Sequence, residues 1–230
     1  MKTRLYVSKY CLAAALLVSG AVYGAKAANV TVNPGAAWLG FMNVFELPSN
    51  GGGYAFGSPW GPADLNASFS GATLTLTPNT SISRDVPLTD GFWWTGAGNG
   101  NKSMAASMYV EDNSLAGQSV TFSGNVLANT LVSPYTSVAF IKEFDGGYGL
   151  VNSTSVPLIN GVFNINLVGT TGVHIQYGFE TVGPNARLDQ VAGFGSVQIT
   201  AVPEPATGAL FIGGLICWIG ARRSKLVSLN

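Results

Sequence analysis

Cysteine and histidine are nearly absent from this sequence, and charge is scarce. Of 230 residues only Cys11 and Cys217 are cysteine, and each sits in an apolar segment near one end of the chain. The stretch between them can form no disulfide, no cysteine-based zinc site and no thiol nucleophile, so a domain there must be held by its core alone. Histidine occurs once, as His174. One imidazole cannot assemble a metal site, and no Gly-x-Ser-x-Gly, phosphate-binding loop or spaced histidine ligands accompany it. With Val173 and Ile175 as neighbours in an alternating stretch, it reads as a structural or surface residue.

The charges that are present divide by position. Lys2, Arg4, Lys9 and Lys26 open the chain, Arg222, Arg223 and Lys225 close it, and all eleven acids lie from Glu46 to Glu204. Without residues 1–27 and 222–230, four basic residues face eleven acidic ones, a net charge of −7. Such a body has no attraction for nucleic acid. The length suits one sizeable core rather than two.

The ends carry recognisable patterns. A basic start is followed by an apolar run from Cys11 to Val22 and the triplet Ala25-Lys26-Ala27. Signal peptidase requires small side chains at the first and third positions before its cut, which places cleavage before Ala28 and makes residues 1–27 a secretory signal. At the other end Val202-Pro203-Glu204-Pro205 precedes an uncharged run over 206–221 and the basic cluster over 222–225. Sixteen helical residues span roughly 24 Å, which a thinned bilayer accommodates, and the basic cluster holds the far end in the cytoplasm. Motif, span and Arg222-Arg223, in that order and paired with a signal peptide, resemble the PEP-CTERM sorting signal of Gram-negative bacteria. The resemblance covers 202–225 and implies cleavage near the motif by an exosortase. Delivery to the cell surface or to an exopolysaccharide matrix would follow. The five residues after Lys225 depart from the usual ending of such tails.

Residues 28–201 read as β structure throughout. Strands are expected at 30–32, 37–46, 65–70, 73–77, 107–110, 119–127, 137–144, 162–168, 173–180 and 195–200, the run Val138–Ile141 marking a buried central strand. Turn chemistry is expected at 33–35, 49–53, 57–62, 98–101 and 183–185. The pattern predicts an all-β fold, a single jelly-roll-like β-sandwich flanked by an N-terminal signal helix and a C-terminal transmembrane helix. The stretches QSVTFSGNVL, TSVAFIKEFD and VHIQYGFETVGPNA resemble carbohydrate-binding-module and galactose-binding-like jelly rolls, a likeness of fold rather than of ligand.

No catalytic set is expected in this body, and no cofactor. Glycoside hydrolysis needs two carboxylates ~5–9 Å apart. Glu111 and Asp112 are strand neighbours pointing to opposite faces, whereas Asp85 with Asp90, or Glu143 with Asp145, could converge. A calcium site is conceivable, but no Asp-x-Asp-x-Asp loop is present. The aromatics offer more: Gly91-Phe92-Trp93-Trp94-Thr95-Gly96 places adjacent indoles in a glycine-rich stretch, where either both rings cover the edge of the sandwich or, on an extended segment, one faces the core and the other faces solvent and could stack on a sugar. Trp60, Trp93 and Trp94 are therefore the candidate glycan contacts, ahead of Tyr148 and Tyr177. The expectation is a non-enzymatic, exported surface or matrix protein with a structural or glycan-associating role. Its partners are signal peptidase, an exosortase, the membrane before cleavage and an exopolysaccharide. A surface glycoside hydrolase and a permanently membrane-tethered adhesin are the alternatives.

Overall fold

Alternation of apolar and polar side chains sets the architecture. Over Ser119–Asn129, Val120, Phe122 and Val126 turn inward and are buried, while Ser119, Thr121, Ser123 and Asn125 point away. That period of two is what a half-buried strand requires. The computed structural model describes residues 26–202, which form twelve strands in two sheets. In chain order the strands are β1 (Ala27–Thr31), β2 (Leu39–Glu46), β3 (Tyr54–Pro59), β4 (Ala67–Ser70), β5 (Thr73–Leu76) and β6 (Lys102–Glu111). Then come β7 (Ser119–Asn129), β8 (Thr136–Phe144), β9 (Leu150–Pro157), β10 (Gly161–Leu167), β11 (His174–Pro184) and β12 (Val197–Thr200). One helix, α1 (Ser81–Asp85), lies between β5 and β6.

Sheet A contains β1, β7, β12, β5 and β4 in pairing order, with β10 also on β7. Sheet B runs β3-β2-β6-β11-β8-β9. From β6 onward the chain keeps crossing between the sheets, so contacts are long-range and register is fixed by the buried face of each strand. All pairings are antiparallel except that of β1 with β7, which starts at Ala27 opposite Ser119. The sandwich is thus all-β, as expected.

Aromatic rings join the two layers. Phe122 of sheet A lies 5.2 Å from Tyr177 and 5.4 Å from Phe179 of sheet B, and Phe163 of β10 lies 6.0 Å from Phe179. Around them Met42, Val44, Met104, Ile141, Ile175, Leu74, Val197 and Ile199 are fully buried. Each such side chain contributes about 1.5–3 kcal/mol on burial, and this replaces the disulfides that the body lacks.

The ten expected strands each overlap an observed one, and the differences have identifiable causes. Gly57-Ser58-Pro59, expected as a turn, lies in β3. That strand is at the sheet edge, where a proline costs no ladder bond, and Gly57 admits the Asn43 side chain and the Tyr54 hydroxyl beside it. Gly183-Pro184, also expected as a turn, ends β11. β9 was not expected at all: it is the outer strand beside β8, most of its residues are exposed, and no one-sided alternation marks it. Leu65 and Asn66 belong to the turn before β4, with Asn66 at φ +58°. The signal segment up to residue 25 and the tail from 203 lie outside the described residues. Among the described residues no helix is long and apolar enough to cross a membrane.

The two sheets differ sharply in chemistry. Not one Asp, Glu, Lys, Arg or His lies in β1, β4, β5, β7, β10 or β12. The outward residues of sheet A are instead Ser, Thr, Asn and Gln with a few aliphatics. Sheet B carries Glu46, Lys102, Glu111, Lys142, Glu143, His174 and Glu180 in its strands. Glu111, Lys142, His174 and Glu180 belong to its outer face, Lys102 is buried at the start of β6 and paired with Glu46, and Glu143 points inward. Its carboxylate is buried and accepts the backbone N–H groups of Thr171 and Gly172, fixing the loop that feeds β11.

Candidate functional site

The outer face of sheet B holds a groove of about 600 Å³. Register explains its shape. Tyr109 on β6 and Phe140 on β8 both pair with Gly178 of β11, so two aromatic residues flank a position without a side chain. A Cβ at Gly178 would press into the Met108 carbonyl oxygen and stand 2.6 Å from the Tyr109 Cα. Glycine therefore forms the floor. Leu39, Phe41 and Asn43 of β2 make one wall and Phe140, Lys142 and Phe144 of β8 the other, with Tyr148 closing one end.

Polar groups are distributed along this aromatic track. Opposite Ser107, away from Tyr148, Glu180 accepts from Ser107 Oγ at 2.7 Å and from Lys142 Nζ at 2.9 Å. The same ammonium lies 4.1 Å from the centre of the Phe140 ring, so its charge is doubly engaged. At the Tyr148 end, Glu111 gathers three groups. Gln176 Nε2 donates to Oε2 at 2.8 Å and the Tyr148 hydroxyl to Oε1 at 3.1 Å. His174 Nδ1 stands 3.2 Å from Oε1 without hydrogen-bond alignment. This contact becomes an ion pair only when the imidazole is protonated.

Tyr148 is held with care. Its ring stacks on His174 at 4.2 Å with an interplanar angle of 8°, yet the residue remains 55% exposed. Its backbone adopts φ +60°, a left-handed conformation that a bulky residue rarely takes. The loop Asp145–Gly149 sustains it, with Asp145 accepting N–H bonds from Gly147 and Gly149 at 2.8 Å each. Those two bonds hold the Asp145 carboxyl below its ordinary range. The hydrogen bond to Glu111, then burial, then the Glu111 charge raise the Tyr148 phenol. Burial first, then the Glu111 charge, raise Tyr109.

The tryptophans singled out from sequence are placed elsewhere. Trp94 is only 2% exposed and belongs to the core, so its ring is closed to any ligand. Its loop folds back, with Trp94 N–H donating to Asp90 at 2.9 Å and a bridge to Gly100. Trp93 is half-buried between Phe56 and Phe92, and the most exposed residue of this trio is Phe92, which also carries the Lys102 ammonium 4.2 Å from the centre of its ring. Trp60 is half-buried against the core, its Nε1 donating to Ser58 Oγ at 2.8 Å. None of the three lines the groove. Tyr148, the lesser sequence candidate, does. Ala27 is the first residue of β1, Ala28 pairs with Val120, and Val202 is the last described residue. Ala25, Pro203, Glu204, Pro205, Arg222 and Arg223 lie outside the described residues.

Neither expected carboxylate pair lies in the groove, and a second cleft is lined by Asp64 and Asp85. Asp90 accepts the N–H groups of Phe92 and Trp93, Glu143 points into the sandwich, and Asp145 serves its own loop. Glu111 ends β6 while Asp112 caps the following turn through Ser114. Glu111 is the one carboxylate in the groove lining. Among the described residues no group of three or more Asp, Glu, His or Cys could hold a metal ion. No protein-family model, curated protein or solved structure matches the chain.

Proposed function

We propose that this is an exported bacterial surface protein whose sandwich binds a glycan chain in the groove of sheet B, without cleaving it. The observation that carries the binding site is the Tyr148 ring: one face is clamped on His174, the hydroxyl is tied to Glu111, and the exposed remainder borders a groove lined by Phe41, Tyr109 and Phe144. Fixed, partly exposed rings suit the apolar faces of pyranoses, and the hydroxyl, amide and carboxylate groups between them suit their rims. Glu111 is the one carboxylate among the lining residues, and Glu180 beside them is engaged by Lys142 and Ser107; this supports binding rather than hydrolysis, because both glycosidase geometries need two carboxylates flanking one bond. The jelly-roll description of the sandwich is supported by its repeated crossings between sheets, β6 to β7 to β8 and β9 to β10 to β11 to β12.

The export half of the proposal rests on sequence. Residues 1–27 supply a signal peptide, and 202–225 supply motif, apolar span and basic cluster in the order of a PEP-CTERM tail. An exosortase acting near Pro203-Glu204-Pro205 would release the body to the surface or to an exopolysaccharide matrix. Intact mass of the exported product tests this directly. Loss of both ends, with a new start at Ala28, is expected, and a product that keeps residues 206–225 would instead favour a membrane-tethered adhesin.

Binding is tested by affinity electrophoresis of the full-length chain, in nonionic detergent, through gels containing neutral galactan, dextran or soluble cellulose. Retardation by at least one polymer is expected, with Tyr148→Ala and Tyr109→Ala each weakening it about tenfold, the scale of one lost aromatic contact. Phe92→Ala, at an exposed ring away from the groove, should leave it unchanged. No retardation by any polymer, or equal retardation of all variants, would sink the groove assignment.

A further inference from the structure

Resting on that reading, the charges around the groove define which glycans it takes: we infer that it accepts uncharged chains and rejects uronic-acid polymers, with Glu111 as the discriminating residue. The free charge available to a ligand decides the selection. Lys142 is the only basic residue in the lining, and Glu180 and the Phe140 ring already occupy its ammonium. It therefore offers little to an incoming carboxylate. The ion pair of Lys102 with Glu46 at 3.0 Å is likewise internal to the sheet.

Glu111 has no such neutralising partner while the imidazole of His174 is uncharged. Its three neighbours are a phenol, an amide and that imidazole. Neutral donors orient a carboxylate and leave its charge in place. Asp112 follows it in sequence, and Asp145 lies in the loop that carries Tyr148. The whole described body adds five basic against ten acidic residues, so the long-range field has the same sign.

A sugar stacked on Tyr148 lies next to this carboxylate, because the hydroxyl of that ring is bonded to it. A uronate seated about 7 Å from Glu111 would be repelled about three- to eightfold in affinity, taking an effective dielectric of about 40–80. The hydroxyls of a neutral sugar, by contrast, meet acceptors in Glu111, Asn43 and the Ser107 oxygen, whose own proton goes to Glu180, and donors in the Gln176 and Asn43 amides. The groove thus separates polymers of one backbone by charge alone.

The experiment compares a neutral galactan or cellulose with its own C6-carboxylated derivative, so that only the charge differs. Affinity electrophoresis of the full-length chain is run at pH 8, where imidazoles are ordinarily neutral, at about 20 mM and 300 mM salt. The wild type should prefer the neutral polymer about three- to eightfold at low salt, and the preference should shrink at high salt. Glu111→Gln, which keeps an oxygen acceptor for the Tyr148 hydroxyl, should lose most of the preference, read as the ratio of the two retardations in the same variant and not as either one alone. Neutral binding that depends on Tyr148 but with no preference for the uncharged polymer, or a preference unchanged in Glu111→Gln, overturns the charge selection and leaves the groove standing. Binding of neither polymer overturns both.

Discussion

Replacing Gly178 by alanine tests the register and the groove floor in one step. The position has extended backbone, so alanine brings no dihedral penalty and the whole cost is steric. The new methyl group would meet the Met108 carbonyl oxygen and approach the Tyr109 Cα to 2.6 Å and its Cβ to 2.9 Å. Ordinary contact needs about 3.4 Å or more, so β6 and β11 must separate by several tenths of an ångström. These strands are the two innermost of sheet B, paired on both sides, and the shift cannot be absorbed at an edge. Overpacking of this kind costs about 1–3 kcal/mol and occasionally more, and a site that meets backbone belongs at the upper end. About 3 kcal/mol corresponds to a fall of about 6–12 °C in Tm for a domain of this size. Urea unfolding followed by tryptophan fluorescence measures it, with Gly53→Ala as the control, since nothing lies within 4 Å of a Cβ there. The control should change by less than about 0.5 kcal/mol. The same displacement carries the Tyr109 ring off the floor, so glycan retention should fall with stability. A loss below about 1 kcal/mol in Gly178→Ala would refute the packing of β6 against β11.

Two further outcomes follow from the core. Phe179→Ala removes the ring that touches Trp38, Phe122 and Phe163, and should cost about 3–5 kcal/mol in the same unfolding assay; a cost near 1 kcal/mol would mean that the layers are not joined there. Burial pushes the Tyr135 phenol up to about 12 from 10.0. The protonated form is the one the fold favours, so this contribution is complete below pH 10 and is lost as the pH rises toward 12. It amounts to about 2–3 kcal/mol, and Tyr135→Phe should flatten the alkaline arm of the stability profile between those values. An unchanged arm would contradict it.

How far the sequence disclosed this arrangement depends on the strand. In β7 one face is buried and the other polar, so alternation was legible residue by residue; in β10 it was imperfect, because the exposed face carries the apolar Val162. In β9 both faces are largely exposed and the signal vanished, while Pro59 and Pro184 sit at strand ends where proline is tolerated and so passed for turns. The tandem indoles behaved as alternation requires, one ring buried and its neighbour half-buried, but the surrounding loop folded back and left only Phe92 outside. The groove was not legible. Tyr109, Gly178 and Phe140 are separated by dozens of residues and become one surface only through the pairings of β6, β11 and β8. A faint local sign did exist at Tyr148: an aromatic among Gly146, Gly147 and Gly149 is a side chain presented on a loop of unusual backbone freedom.

The crossing of the chain also settles how the domain bears a load. β12 lies between β5 and β7 and leads directly to Ala201 and Val202, and β1 is bonded to the same β7. A pull on the chain beyond residue 202 therefore runs along a strand hydrogen-bonded on both flanks, loading its ladders in shear instead of peeling an edge. An attachment at either end would take hold of sheet A, whereas the groove belongs to sheet B.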